Sequence, residues 1–209
     1  MIRAVIFDLG GVLMRTEDHS PRQRLAERLN LGYAELSSLV FDSETSIQAT
    51  LGKITAQAHW EAVRQALNLP PEEFPSVPEY FWGGDRLDLS LVEYLRSLRP
   101  RYRTALLSNA WDDLRTYLVN RWKIADAFDE LIISAEVGLA KPDPRIYQLA
   151  LERLEVAPEE AIFVDDFPAN VAGAQAAGLQ AIQFRTREQA LAELEALLQA
   201  DGSQPTTGG

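Results

Sequence analysis

The chain has 209 residues with ordinary hydrophobic and charged fractions of 46% and 24%, which is typical of one sizeable globular domain or of a domain with a large insertion. It contains no cysteine, so disulfide bonds and thiolate metal sites are excluded. The net charge of −11 argues against nucleic-acid and anionic-membrane partners, because both need a basic surface. A small anionic substrate stays possible, because a few local cations can set the field inside a cleft.

The N-terminal apolar segment, residues 2–7, is short and rich in branched side chains, and Asp8 ends it. This pattern is typical of a buried parallel strand and not of a signal peptide or a membrane-spanning helix. Gly10 and Gly11 follow and predict a flexible turn directly after the strand. We therefore expect a cytoplasmic protein that does not act at a membrane.

Apolar runs and helical patterns then alternate along most of the chain. Short apolar runs predict four further strands, at residues 104–107, 130–133, 161–164 and 180–184. Apolar residues at three- and four-residue spacing predict helices at residues 87–98, 112–122, 144–154, 169–177 and 187–198. Such alternation predicts an α/β fold, a doubly wound Rossmann-like parallel sheet with helices on both faces.

Residues 16–84 have a different pattern, without clear strands. Helices are predicted at residues 21–31, 33–41 and 55–67, the last with Thr55 as its N-cap. We interpret this stretch as an inserted all-helical cap subdomain, with residues 1–15 and 85–200 forming the α/β core. The Gly/Ser/Thr/Pro-rich residues 201–209 are expected to be a disordered tail.

Aromatic residues are frequent in the insertion: Phe41, Trp60, Tyr80, Phe81 and Trp82. Since large aromatic side chains are usually buried, we expect them to pack the cap onto the core rather than to line a pocket. The segments at residues 14–16 and 83–84 are the expected hinges for closure of the cap, which would exclude water from a site beneath it.

Polar residues stand at several predicted strand ends. Asp8 follows the first strand, Ser108 and Asn109 follow the second, and Asp165 and Asp166 follow the fourth. Because the carboxyl ends of parallel strands share one edge of the sheet, where ligands bind, we expect these side chains to meet. Lys141 lies a short loop beyond the third strand and can reach the same edge.

Each of these residues also has a purely structural explanation. Asp8 can form a turn, Ser108 with Asn109 can cap a helix, and Lys141 can be a solvated loop residue. The adjacent Asp165 and Asp166 are harder to explain in this way, since two neighbouring acids repel each other without a cation. Carboxylate oxygens suit a hard cation such as Mg²⁺.

In combination, the chain resembles the haloacid dehalogenase-like hydrolase superfamily. The resemblance is closest to the branch with a small helical cap, which includes sugar-phosphate phosphatases and the phosphatase-like domain of some epoxide hydrolases. It rests on four segments that occur in order and cover nearly the whole chain outside the insertion and tail: FDLGGVL at residues 7–13, LSNA at 107–110, KPDP at 141–144 and VDDFPAN at 164–170.

The resemblance implies a phosphatase that acts on a small-molecule phosphate ester, with Asp8 as the nucleophile that forms an aspartyl-phosphate. Ser108 would donate a hydrogen bond to the phosphoryl group, with Asn109 nearby. Lys141 would bridge Asp8 and the phosphoryl oxygens. Backbone N–H groups in the Gly10–Gly11 turn would add donors.

The resemblance also implies a Mg²⁺ cofactor. Asp8, the carbonyl oxygen of Gly10 and Asp166 would hold the ion, while Asp165 would act through water or as a support. Such a metal neutralises the repulsion between the Asp8 carboxylate and an anionic substrate.

One position departs from the pattern of the family's phosphatases, which usually carry a second Asp two residues after the nucleophile. This Asp protonates the leaving group and later activates water, and here the position is Gly10. Loss of a general acid–base costs about 10²–10⁴-fold in rate. A cap residue is a candidate substitute, namely Glu17, Asp18, His19 or His59.

Three functions therefore compete. The first is a phosphatase on a phosphorylated metabolite, which is either slow for lack of the second Asp or has its rate restored by a substitute acid. The second is a 2-haloacid dehalogenase, which likewise lacks the second Asp and needs no metal, because halide leaves without a proton; the acidic pair Asp165–Asp166 argues against it. The third is a catalytically weak binding or regulatory protein on the same scaffold, against which the joint retention of Asp8, Ser108, Lys141 and Asp166 argues.

Overall fold

The computed structural model describes residues 1–202, the last two only as helix backbone. Within this range the strands, in chain order, are β1 (Ala4–Phe7), β2 (Met14–Thr16), β3 (Asp85–Leu87), β4 (Arg103–Ser108), β5 (Glu130–Ile133), β6 (Ala161–Asp165) and β7 (Gln180–Gln183). Five of them form one parallel sheet in the order β5-β4-β1-β6-β7, and β2 and β3 form a separate antiparallel pair. All five predicted strands are therefore present.

The central position of β1 determines where the site lies. Phe7, the last residue of β1, pairs with Leu106 on β4 and with Val164 on β6. The chain runs from β1 to neighbours on both sides, and such a switch point is where open α/β sheets bind ligands. Asp8 thus leaves the sheet beside the ends of both neighbouring strands.

Helices cover both faces of the sheet, in chain order α6 (Leu89–Leu98), α7 (Leu114–Thr116), α8 (Ser134–Val137), α9 (Pro144–Leu154), α10 (Pro168–Ala176) and α11 (Arg187–Gly202). Alternate residues of β1 point to opposite faces, as the period of a strand requires. Val5 and Phe7 belong to the hydrophobic core under α6 and α11, whereas Ala4 and Ile6 belong to the core under α9 and α10. The predicted doubly wound α/β fold is confirmed.

The segment between β2 and β3 contains five helices among its described residues, α1 (Ser20–Arg28), α2 (Tyr33–Phe41), α3 (Glu44–Thr50), α4 (Ala56–Ala66) and α5 (Ser76–Phe81). They enclose a small core of their own, which includes Leu25, Leu36 and Phe81. Thr55 caps α4, since its hydroxyl accepts a hydrogen bond of 3.1 Å from the Ala58 N–H. Helices α3 and α5 are additional to those predicted from the sequence.

Of the two expected hinge segments, residues 14–16 form β2, and residues 83–84 directly precede β3. β2 and β3 pair antiparallel, and the Thr16 hydroxyl donates a hydrogen bond of 2.7 Å to Asp85. Arg15 on β2 forms a 2.7 Å ion pair with Asp88, the N-cap of α6. The helices are therefore attached to the sheet through a short paired ribbon.

Two segments differ from the predicted helices. The single helix predicted at 112–122 is instead the short α7 followed by a π-helical turn, Tyr117–Arg121. The last helix, α11, extends to Gly202 and so includes the first two residues of the predicted tail, while residues 203–209 lie outside the described residues. Among the described helices, none combines the length and apolar character needed to cross a membrane.

Candidate active site

Three carboxylates meet at the carboxyl edge of the sheet. Asp8 follows β1, Asp165 ends β6 and Asp166 comes next, and one oxygen from each lies within 4.8 Å of the others. Asp165 is fully buried, Asp8 is 7% exposed and Asp166 is partly exposed. The strand ends that the sequence predicted to converge therefore do converge.

The Lys141 ammonium group lies among these acids. Its Nζ is 2.9 Å from Asp8 Oδ1 and 2.6 Å from Asp165 Oδ2, and the lysine side chain is 1% exposed. Lys141 is thus a buried partner of two carboxylates and not a solvated loop residue. Three carboxylates with one ammonium group leave the cluster short of positive charge.

The Asp165 carboxylate accepts hydrogen bonds from several neighbouring groups. Besides Lys141, it accepts hydrogen bonds from the Phe167 N–H at 2.8 Å and from Asn170 Nδ2 at 3.1 and 3.2 Å. The main-chain carbonyl of Asn170 in turn accepts a 2.8 Å hydrogen bond from the Tyr147 hydroxyl. These donors fix the orientation of the Asp165 carboxylate.

Burial and mutual repulsion raise the pKa of the other two acids. For Asp8, burial is the largest cause and the charge of Asp165 adds to it, so its pKa rises to about 6 although Lys141 opposes the change. Burial, followed by the charge of Asp165, also raises the pKa of Asp166. Both acids therefore lie where an added cation would stabilise their ionised forms.

Gly11 makes room for Asp166. Its φ of +74° lies in the left-handed region, and a Cβ added there would be 2.1 Å from Asp166 Oδ2. Its N–H donates to the Met14 carbonyl at 2.9 Å, so this donor, expected to serve a substrate, is already used by the turn. The adjacent Gly10 is exposed, and a Cβ added there would meet no heavy atom within 4 Å.

Ser108 and Asn109 lie at the end of β4 but have different surroundings. Ser108 is buried, at 3% exposure, as the last residue of the strand. The Asn109 amide pairs with the main chain of Lys141: its Oδ1 accepts from the Lys141 N–H at 2.8 Å, and its Nδ2 donates to the Lys141 carbonyl at 2.9 Å. The sequence motif did not reveal this contact, because the two residues are 32 positions apart.

His59 is a core residue and not a substitute acid. It is fully buried, and its ring nitrogens pair with the Thr45 hydroxyl at 2.9 Å and the Val40 carbonyl at 3.0 Å. Burial also lowers the pKa of His59, which disfavours the imidazolium form.

The other three candidate substitutes are exposed and have different contacts. His19 pairs with the Tyr33 hydroxyl at 2.8 Å, Asp18 accepts a hydrogen bond from the Ser20 N–H at 2.9 Å, and Glu17 lies 3.7 Å from Arg15. A role for these three stays a prediction.

The loop after Asn109 also contacts the inserted helices. The sequence did not predict this contact. Asp112 Oδ1 accepts a hydrogen bond of 2.8 Å from the Ala56 N–H, in the first turn of α4, where a carboxylate is favoured. The Trp111 ring packs 4.6 Å from His59 and 5.7 Å from Trp60, measured between ring centroids. An acid and an aromatic residue just beyond the second motif are the weak sequence signal that could have indicated this contact.

The chain matches a family of known enzymes over most of its length. The family described as haloacid dehalogenase-like hydrolase matches residues 2–178. The chain belongs to this haloacid dehalogenase-like hydrolase family. It is therefore a hydrolase of this family, as the sequence motifs indicated, and its relatives include phosphatases.

Relatives of this hydrolase have several activities. It is 30% identical to a phosphorylated carbohydrates phosphatase of Thermotoga maritima over 87% of this chain and 84% of that protein. It is 28% identical to an (S)-2-haloacid dehalogenase of Pseudomonas sp. (strain CBS-3), over 88% and 84%. It spans only 19–41% of the length of other, longer curated relatives.

The fold of the hydrolase is also that of a solved structure. It shares 22% sequence identity and a TM-score of 0.74 with a family enzyme of Bacteroides thetaiotaomicron in complex with magnesium and inorganic phosphate. The match covers 90% of this chain and 96% of that one.

We expect the substitution Gly11→Ala to destabilise the protein, because a Cβ at this left-handed residue would overlap the Asp166 carboxylate. The free energy of unfolding, measured with urea, should fall by about 1–3 kcal/mol. The control is Gly10→Ala, where the space is open and the change should stay within about 1 kcal/mol. Equal effects of the two substitutions would contradict this role of Gly11.

The raised pKa of Asp8 predicts a pH-dependent stability of the protein in EDTA. Unfolded Asp8 ionises near 3.8 and folded Asp8 near 6, so the contribution of Asp8 to the free energy of unfolding should fall as pH rises between these values and level off above them. The substitution Asp8→Asn removes the ionisable group and therefore this loss of stability. Relative to wild type, we expect it to add at most about 3 kcal/mol at pH 8 and little at pH 4.

Urea unfolding at the two pH values checks this expectation, with the exposed Asp42→Asn as the control. A gain from Asp8→Asn that is equal at both pH values would show that the Asp8 charge is not the cause.

Proposed function

We propose that the protein is a Mg²⁺-dependent phosphatase that hydrolyses a small phosphorylated metabolite through an aspartyl-phosphate on Asp8. The observation that carries the proposal is the cluster of three carboxylates, Asp8, Asp165 and Asp166, with the ammonium group of Lys141 beside it. Such a cluster is suited to holding a hard cation, and with the cation in place it is suited to binding an anionic phosphoryl group.

The donor set fits Mg²⁺. Its oxygens are carboxylates that lie within 4.8 Å of one another, and hard divalent cations prefer such oxygens. Because the Asp165 carboxylate already accepts bonds from Lys141, Asn170 and Phe167, we assign it a supporting role. Asp8, Asp166 and the carbonyl oxygen of Gly10 would then hold the ion. When bound, Mg²⁺ would supply positive charge that offsets the repulsion between Asp8 and the substrate.

The residues of the chain have distinct tasks in the reaction. An oxygen of Asp8 attacks phosphorus, a new P–O bond forms, and the bond from phosphorus to the leaving oxygen breaks with its electron pair. Lys141 and Ser108 donate to the phosphoryl oxygens and stabilise the charge that they carry. Water then attacks phosphorus, loses a proton, and releases inorganic phosphate and the Asp8 carboxylate.

Gly10 limits which esters react quickly. The position two residues after the nucleophile has no side chain that could protonate the leaving oxygen or take the proton from water. Turnover should then depend strongly on how well the alcohol leaves as an anion, and the second step should also be slow. Loss of such a proton-transfer group costs about 10²–10⁴-fold.

The comparisons support a phosphatase and also favour one alternative. The similarity to a phosphorylated carbohydrates phosphatase and the fold shared with an enzyme that binds magnesium and phosphate agree with the proposal. Gly10 and the similarity to a 2-haloacid dehalogenase favour that second function, because a halide needs no proton. The acidic cluster favours the phosphatase, since three carboxylates are suited to a metal ion that a dehalogenase does not need.

We expect hydrolysis of para-nitrophenyl phosphate to require Mg²⁺ and to be abolished by Asp8→Asn, because the amide is not a nucleophile toward phosphorus. Release of para-nitrophenol with Mg²⁺ and with EDTA measures both effects, and Asp42→Asn should retain wild-type activity. Chloride release from 2-chloropropionate without metal would instead establish the dehalogenase. An inactive protein that still binds phosphate esters would favour a binding or regulatory role.

We expect Gly10→Asp to raise the rate most for esters with poor leaving groups. The open space at this position accommodates the side chain, and the new carboxyl group can protonate the departing oxygen. The measurement is the slope of log(kcat/KM) against leaving-group pKa for a series of aryl and alkyl phosphates. The slope should be steep for wild type and shallower for the variant, with Gly10→Ala as the steric control.

A shallow slope for the wild-type protein would contradict this account of Gly10. It would show that another group, such as Glu17, Asp18 or His19, already protonates the leaving group.

A further inference from the structure

We propose that Asn109 is a positioning residue: it holds the main chain of Lys141 and thereby keeps the Lys141 ammonium group against Asp8. This inference rests on the proposed function and adds a role to it. The geometry is a two-point contact, in which the Asn109 amide accepts from the Lys141 N–H at 2.8 Å and donates to the Lys141 carbonyl at 2.9 Å. The contact joins the end of β4 to the loop that carries the lysine.

Lys141 needs such support because it lies on a loop. The helices on either side of it end and begin at Val137 and Pro144, so regular secondary structure does not fix its main chain. Its long side chain has many rotamers in solution. A lysine that must meet Asp8 and Asp165 at the same time therefore depends on a fixed Cα position.

The loop is held on its other side by close packing. A Cβ added at Gly173 in α10 would lie 3.0 Å from Pro142 Cβ and 3.1 Å from the Pro142 carbonyl oxygen. Pro142 thus rests directly on the backbone of α10, while Asn109 holds Lys141 from β4. These two contacts set the position of the loop between the end of β4 and helix α10.

The same contacts distinguish positioning from direct substrate binding. One donor and one acceptor of the Asn109 amide are used by Lys141, which also fixes the plane of the amide. If Asn109 acts through the lysine, removing its amide matters only while the lysine is present. If Asn109 binds the phosphoryl group itself, its removal matters equally with or without the lysine.

A double-mutant cycle tests the proposal, with kcat and KM measured for 2,4-dinitrophenyl phosphate and Mg²⁺. Asn109→Ala should lower kcat roughly 10–100-fold, because small displacements of a catalytic group have effects of this size. In a Lys141→Met background, the same substitution should change the rate by no more than about twofold. Gln175→Ala, an exposed amide on α10, is the control and should leave both constants unchanged.

Two results would overturn the proposal. One is an equal loss in both backgrounds, which would make Asn109 a direct substrate contact. The other is an Asn109→Ala variant with wild-type kcat. Asn109→Asp is a second variant that keeps the side-chain shape but cannot donate to the Lys141 carbonyl, and it should also lose kcat.

Crystal structures of wild type and Asn109→Ala separate this inference from the proposed function. We expect the Lys141 ammonium group to move away from Asp8 in the variant. A lysine that has not moved would overturn the positioning role even if the protein is a phosphatase. The position of the lysine in the two structures also decides between the two roles of Asn109 if the Lys141→Met rates are too slow to measure. A displaced lysine in a protein without phosphatase activity would retain the positioning role and reject the function.

Discussion

The arrangement of the site depends on one buried ammonium group shared between two carboxylates. Lys141 Nζ lies 2.9 Å from Asp8 and 2.6 Å from Asp165, and its side chain is almost inaccessible to solvent. Removing the ammonium group would leave two buried carboxylates without a cation, and an uncompensated buried charge of this kind typically costs about 3–5 kcal/mol. Asn170 and the Phe167 N–H hold Asp165, Asp165 holds the lysine, and the lysine in turn contacts Oδ1 of Asp8.

The parallel sheet brings these groups together, and two close contacts then fix their exact positions. The register of β1 with β4 and β6 places three strand ends side by side. Gly11 then lets Asp166 approach the turn after β1, and Asn109 ties the Lys141 loop to β4. The loop beyond Asn109 also carries Asp112 and its contact with α4, so the candidate site and the inserted helices share one short segment.

Features that arise from periodicity and topology were predictable from the sequence, whereas features that depend on particular contacts were not. The five sheet strands and the convergence of Asp8 with Asp165 were predictable, because buried parallel strands have continuous apolar runs and align their carboxyl ends. The short α3 and the β2–β3 pair have too few residues for a periodic signal. The contacts of Gly11 with Asp166 and of Asn109 with Lys141 join residues far apart in sequence, so no local pattern could reveal them. Gly10 was visible in the sequence, but the open space beside it was not.

The central claim is that Asp8 attacks phosphorus, and trapping the phosphorylated enzyme tests it most directly. Because Gly10 supplies no base for the second step, the intermediate should accumulate when an activated phosphate ester reacts with the Mg²⁺-loaded protein. Quenching the reaction in acid and mapping peptides by mass spectrometry should locate one phosphoryl group on the peptide that contains Asp8. Turnover of the ester with no phosphoryl group on Asp8 at any time after mixing, or with the group on another residue, would contradict the account.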